Sequence, residues 1–117
     1  MVRAEFSRSD ADGSITLVVN GHAGAAKEGE DIVCSSASIL AYTAAQTLRF
    51  MYEDGGLKEK PTIRVEKGDA LIVAKPNDDR YKEALHTFFV VQVGFLLLSR
   101  NYPEFVSLKS FGESEGT

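Results

Sequence analysis

The amino-acid sequence predicts a single α+β domain in which a mostly antiparallel sheet of about five strands carries two helices on one face. Its 117 residues, 44% hydrophobic and 26% charged, have the size and composition of one globular domain. Short stretches of period 2 alternate along the chain with two long stretches of helical period. Their order is β-β-α-β-β-α-β, without repeats or a linker.

The first half of the chain supplies a hairpin and a helix. Residues 2–7 alternate between apolar and polar side chains, a turn-forming segment follows at 9–13, and residues 14–19 form the second strand. Asp31 is a good N-cap residue, and apolar side chains at spacings of three and four predict a helix from there to about Glu53. A Gly-Gly pair then stops this helix.

The second half also supplies a hairpin and then a helix. Residues 62–66 and 70–74 are predicted to form a second hairpin. Asn77 or Asp78 then caps a helix that continues to about Arg100.

The end of the chain and the surface of the second helix carry three further expectations. Residues 105–108 form a last short strand, and residues 110–117 form a frayed tail. The second helix is apolar nearly all round, so a homodimer would cover the side that its own sheet does not.

Composition excludes several classes of protein. The net charge of −4 argues against a nucleic-acid binder, because phosphate contacts need a basic surface. One cysteine cannot form an internal disulfide or a thiolate-rich zinc site, and no metal or cofactor is expected. The N-terminus lacks a signal peptide, and the apolar run at residues 88–98 is shorter than the roughly 20 residues that cross a membrane. We expect a cytoplasmic protein that binds neither nucleic acid nor membrane.

Cys34 and His22 are the candidate catalytic residues. With Asp31 as N-cap, Cys34 is the third residue of the helix, where free N–H groups and the helix dipole favour a thiolate. His22 follows the second strand and can share the thiol proton, as in acyl transfer by a Cys–His pair. The N–H groups of the helix start are a candidate oxyanion site.

The residues around this pair have supporting roles. Asp31 either caps the helix or orients His22, and the sequence leaves both open. Ser38 lies one turn after Cys34 on the same helical face. Gly21 and Gly29 shape the intervening loop, which is rich in Gly and Ala and is predicted to be mobile and to order on substrate.

The same residues could also have purely structural roles. A lone cysteine is often a small buried hydrophobe, and His22 would then be a solvated turn residue. A non-catalytic binding module and a small-molecule thioesterase therefore stand as alternatives to a protease.

Taken together, these residues resemble a known family. The Gly21-His22-Ala23 motif, followed by Gly29, Asp31, Val33-Cys34 and Ser38, is similar to the G-H-A, G-x-D-x-V-C, S pattern of the ribosomal-processing cysteine protease Prp family of bacteria. Residues 101–106, Asn-Tyr-Pro-Glu-Phe-Val, resemble that family's C-terminal segment. The chain departs from the common C-A-A-V-S pattern at Ser35, Ser36 and Ala37, which bears on the pocket wall.

The resemblance implies a substrate and roles. Members of the family remove an N-terminal extension from the large-subunit ribosomal protein L twenty-seven, cutting after a segment that contains Phe, and they are dimeric. Cys34 would then be the nucleophile and His22 the general base. Asp31, Ser38, Gly21 and Gly29 would be supporting residues of the site.

Overall fold

The computed structural model describes residues 1–21, 30–66 and 68–112, and it confirms the predicted order of elements. The strands and helices are β1 (Val2–Arg8), β2 (Ile15–Asn20), α1 (Glu30–Glu53), β3 (Thr62–Glu66), β4 (Asp69–Ala74), α2 (Tyr81–Asn101) and β5 (Val106–Lys109). One turn of 3-10 helix, Asp78–Arg80, precedes α2. The predicted mobile loop lies outside the described residues.

The five strands form one mixed sheet in the order β3-β4-β2-β1-β5. All neighbours are antiparallel except β1 and β5, which run parallel with Val2 opposite Val106. This confirms a mostly antiparallel α+β sheet, and it supplies the strand order that periodicity leaves open.

The core lies between one face of the sheet and the two helices. Alternate side chains of β1, β2 and β4 are buried, as period 2 requires of a sheet covered on one face. Phe6 of β1 meets Phe95 of α2 edge to face, with 6.0 Å between the ring centres. The two helices contact each other where Gly94 lies against Leu40.

The start of α1 differs from the prediction, whereas Asn77 occupies the predicted N-cap position, before the 3-10 turn that leads into α2. α1 starts at Glu30, so Asp31 lies inside the first turn and is not the N-cap. α2 starts after Arg80, and the Asn77 side chain makes no cap hydrogen bond. The side-chain amide nitrogen of Asn77 instead donates to the carbonyl oxygen of Gly55 at 2.6 Å. This hydrogen bond joins the chain just after α1 to the start of the helical segment that contains α2.

Phe111, within the segment 110–117 that is predicted to fray, makes two contacts with the rest of the domain. The backbone N–H of Phe111 donates to the Gln92 side-chain oxygen at 2.9 Å. The Phe111 ring also packs edge to face on Phe6, with 5.6 Å between ring centres. Phe111 therefore holds the chain to the core beyond β5. The polar residues around it in the sequence give no sign of this role. Residues 113–117 lie outside the described part.

The outer side of α2 is unusually apolar. Ala84, Phe88, Val91, Phe95 and Leu98 are buried against the core, yet large apolar side chains also face outward. By length and composition the segment from Asp78 to Asn101 could cross a membrane, with a mean hydropathy of 1.2. The core helix of a soluble domain meets the same criteria, and this helix packs on a sheet.

Candidate active site

Gly21 lies at one end of the sheet, across the ends of the strands, and we call this end the Gly21 edge. Here β1, β4 and β5 begin and β2 and β3 end, because Asn20 pairs with both Arg3 and Asp69, and Glu66 pairs with Asp69. Gly21 follows β2, a central strand of the sheet, at this edge.

The N-terminal end of α1 lies toward the same edge. Its C-terminal end lies at the opposite edge, where the Gly56 amide donates to the Met51 carbonyl and Leu57 bridges to Pro76, just after β4. α1 therefore crosses the sheet between the two edges, with its N-terminal end on the side of Gly21. Cys34, near its start, is therefore on the side of the sheet to which Gly21 belongs.

Cys34 is half-buried and packs against the hydrophobic core. It is the fifth residue of α1, not the third as predicted, because the helix starts at Glu30. Its backbone N–H therefore points to the Glu30 carbonyl within the helix and is not a free oxyanion donor. Free N–H groups belong to the turn before Cys34, so an oxyanion would be bound there or by other parts of the site.

Ser38 lies one turn after Cys34 on the same side of α1 and is exposed. Val33 and Ala37, next to these two residues, are buried and hold this turn of the helix against the core. Cys34 and Ser38 therefore lie beside the buried side of α1, where Cys34 is half-buried and Ser38 is exposed. A substrate approaching the thiol could reach the Ser38 hydroxyl.

Gly21 has a positive φ of 86°, which residues with a side chain rarely adopt. A Cβ built on Gly21 would overlap the carbonyl oxygen of Met1 and lie 3.3 Å from its carbonyl carbon. Glycine is thus required there for two independent reasons. His22 and Gly29 lie outside the described residues, as does the side chain of Asp31, so their predicted roles stay predictions.

The segment from Asn101 to Val106 connects α2 to β5 and also lies at the Gly21 edge. The Tyr102 amide donates to the Leu98 carbonyl at 2.8 Å and ends α2, and the Phe105 and Val106 amides both donate to the Tyr102 carbonyl. This turn delivers β5 beside β1. The sequence analysis identified residues 101–106 by their resemblance to the family's C-terminal segment, and the structure shows how this turn connects α2 to β5.

An open groove of about 290 Å³ lies elsewhere, between α2 and β5. Its lining is mostly apolar and consists of Phe89, Gln92, Val93, Leu96, Ser99, Leu108 and Ser110. None of the predicted site residues lines it. The groove is therefore separate from the Cys34 region.

Comparisons with known proteins identify relatives along nearly the whole chain. The model of a family described as cysteine protease Prp matches residues 1–107. A crystal structure of the ribosomal processing protease Prp from S. aureus with a covalently linked product peptide has a TM-score of 0.66 at 23% identity, covering 94% of this chain and 99% of that one. A second S. aureus Prp structure, with a substrate peptide, gives 0.67 at 21% identity over the same shares.

A further similar structure is that of SMU.848 from Streptococcus mutans, with a TM-score of 0.68 and 24% identity, covering 95% of this chain and 94% of that chain. At such identities these structures show a shared fold. Comparison with curated proteins finds no match.

Proposed function

The chain belongs to the cysteine protease Prp family and is a peptidase, and from this premise we propose that it removes the N-terminal extension of ribosomal protein L twenty-seven with a Cys34–His22 pair. The observation that carries the proposal is the half-buried thiol of Cys34 near the start of α1, on the side of the sheet where Gly21 precedes His22. The S. aureus relatives hold a substrate or a product peptide, which supports a peptide as substrate.

In the proposed mechanism the Cys34 thiolate attacks the scissile carbonyl carbon and its electrons move onto the carbonyl oxygen. The C–N bond then breaks, and protonated His22 gives its proton to the leaving amine, which leaves a thioester on Cys34. His22 next takes a proton from water, whose oxygen attacks the thioester carbonyl. Collapse of this second intermediate expels the thiolate and releases the acid.

Asp31, Ser38, Gly21 and Gly29 are proposed to support this pair. For Asp31, which lies in the first turn of α1, the proposed role is to orient His22. Ser38, exposed one turn beyond the thiol, is suited to bind the substrate backbone. A ribosomal substrate and a free thiol both fit the cytoplasm, which is the compartment we propose.

We also propose a homodimer, built on the outer side of α2. Phe89, Val90, Val93 and Leu97 are between 40% and 55% exposed there, at spacings that form one stripe. A second copy would remove this apolar surface from water. Leu97→Glu should convert a dimer to a monomer in light-scattering chromatography, whereas Lys82→Glu, at an exposed polar position of the same helix, should not. A wild-type monomer at micromolar concentration would contradict the dimer.

The substrate proposal is tested by incubating the protein with the L twenty-seven precursor and reading the products by intact mass. One cut by the wild type, abolished in Cys34→Ala and in His22→Ala, is the expected result. Gln46→Ala, at an exposed position three turns along the same helix, is the matched control and should cut normally. Absence of a cut by folded wild type, or a cut that survives Cys34→Ala, would refute the proposal.

A further inference from the structure

β3 is the outermost strand on one side of the sheet, and its inner side pairs with β4. Among residues 1–21, 30–66 and 68–112, no strand pairs with its outer side. The outer side of such a strand presents backbone N–H and C=O groups to which an extended peptide can add as one more strand. The chain is a peptidase, so its substrate is a ligand of this kind.

The hydrogen-bond pattern of the sheet can be followed from β5 toward β3. Along each strand, successive residues direct their backbone groups alternately to the two neighbouring strands. The Val2 amide donates to the Phe105 carbonyl on the β5 side, so the backbone groups of Arg3 point to Asn20 in β2. The groups of Val19, which precedes Asn20, therefore point to β4. The pairing is continuous from β1 to β3, so the alternation carries through.

The same alternation identifies which groups of β3 point outward. Ala70 of β4 bonds toward β2, because its partner in β2 bonds toward β4. The next residue, Leu71, therefore bonds toward β3, where it lies opposite Arg64. Ile63 and Val65, on either side of Arg64, must then direct their N–H and C=O groups to the outer side of β3. Two donors and two acceptors are thus presented to an added strand.

The side chains of Ile63 and Val65 lie on the helix side of the sheet. Ile63 is opposite Ile72 and Val65 is opposite Ala70, and both partners are buried in the core. Residues directly opposite each other share a face. Ile63 and Val65 pack against the core but are only half-buried, since β3 is the outermost strand. An added strand would cover this apolar surface as well as the backbone groups.

Cys34 and Ser38 lie over the same part of the sheet. α1 contacts β3 and β4, whereas α2 contacts β5. Leu40 faces α2, because its side chain lies against Gly94. At about 100° per residue, Cys34 is turned about 120° and Ser38 about 160° from Leu40 around the helix axis. Both residues therefore lie on the side of α1 that faces away from α2, toward the outer side of β3.

We propose that the substrate binds in extended form along the outer side of β3, with its backbone hydrogen-bonded to Ile63 and Val65. Every second side chain of the peptide then points to the helix side, where it covers these two residues and approaches Cys34 and Ser38. β3 ends at the Gly21 edge, near the start of α1, so the bound strand leads the scissile bond toward the thiol. This inference rests on the proposed role of Cys34 as the nucleophile.

The first test is amide hydrogen exchange, followed by NMR, in the Cys34→Ala protein with a peptide that spans the cleavage site of the L twenty-seven precursor. Fluorescence anisotropy of a labelled peptide measures its dissociation constant. At about ten times that concentration, exchange of the Ile63 and Val65 amides should slow about tenfold. The Arg64 amide already bonds to β4 and should change little. The Leu108 amide, on the outer side of β5, is the matched control and should keep its rate.

The second test leaves the protein unchanged and removes one donor of the peptide at a time by N-methylation. Peptides methylated at an amide that points to β3 should be cleaved with a kcat/KM lower by about tenfold. Peptides methylated at the intervening amides, which point away from β3, are the controls and should be cleaved like the parent peptide. The effect should therefore alternate with a period of two residues.

The outcomes separate the docking mode from the proposed function. A peptide that is neither bound nor cleaved would refute the proposed function, and docking on β3 with it. A peptide that is bound and cleaved while the Ile63 and Val65 amides exchange at unchanged rates would refute the docking mode alone. An effect of N-methylation without alternation along the peptide would also refute it.

Discussion

The two edges of the sheet are built in different ways. At the edge opposite Gly21, exposed side chains form the ion pairs Arg80–Asp54, Arg80–Glu83, Lys58–Asp78 and Lys75–Glu59. Backbone hydrogen bonds add to these, including those from Lys58 to Lys75 and from Asn77 to Gly56. We call this the ion-pair edge.

At the Gly21 edge, the described contacts include the close approach of the Met1 carbonyl to Gly21 and the turn at Tyr102 that leads into β5. Cys34, near the start of α1, belongs to this side. Among the described residues, these ion pairs thus lie at one edge, and the proposed chemistry is assigned to the other. Substitutions at the two edges should therefore affect different observables.

The largest expected effect is on activity at the Gly21 edge. Cys34→Ser replaces the thiol with a hydroxyl of similar size, which is a far weaker nucleophile at neutral pH. Peptidase activity should fall by about a thousandfold or more. The free energy of unfolding, measured in urea, should change by less than about 0.5 kcal/mol because the side chain is only half-buried. A large loss of stability would mean that Cys34 is chiefly a packing residue.

Leu57→Ala should have the reverse effect at the ion-pair edge. Leu57 is 6% exposed and belongs to the core, so its truncation should lower the free energy of unfolding by about 2–4 kcal/mol. The rate of Cys34 alkylation under native conditions should not change. Altered alkylation in the folded variant would show that the two edges are coupled.

Gly94→Ala tests the helix contact that joins the two edges. A Cβ on Gly94 would lie 2.5 Å from a Leu40 methyl group, which must then move. We expect a loss of about 1 kcal/mol in the parent protein, where overpacking exceeds the gain in helix propensity. In a Leu40→Ala background the same change should stabilise by about 1 kcal/mol. Equal effects in both backgrounds, in urea unfolding, would contradict this contact.

Arg80→Ala should give the smallest effect, visible only as a change in acid stability. Hydrogen bonds from the Arg80 guanidinium lower the pKa of Asp54 and of Glu83. The stabilisation is therefore complete above the ordinary carboxyl pKa values near about 4 and is lost as the pH falls through the lowered ones. The unfolding midpoint of the variant should depend less on pH below about 4, and Lys82→Ala should leave that dependence unchanged. Identical slopes for Arg80→Ala and the parent would contradict the assignment.

The strands and helices could be predicted from the spacing of apolar residues, because each element buries one face and that face determines the spacing. The alternation in residues 2–7 and the spacing in α1 each follow from a sheet covered on one side by helices. The start of α1 was not predicted correctly, because Asp31 has the side chain of an N-cap but lies inside the first turn; Asn77 occupies the predicted N-cap position without a side-chain cap hydrogen bond. Phe111 was missed because one aromatic residue in a polar tail has no periodicity.

The site was predictable in its residue types but only partly in its geometry. Cys34 could be singled out as the one thiol near a helix start, and its family motif strengthened that choice. Its place two residues deeper in α1 depends on where the helix begins, which propensity fixes only to within a few residues. The contact of Met1 with Gly21 depends on strand pairing between distant segments, so no local pattern encodes it.

The parallel pairing of β1 with β5 also bears on how the chain folds during its synthesis. Val2 and Val106 are about a hundred residues apart, so this pairing closes the longest loop in the sheet and is entropically costly to form early. On the ribosome β5 emerges after every other strand and helix. The pairing of β1 with β5, and the Val2–Phe105 hydrogen bond beside it, therefore cannot form until residues 105–109 have been released.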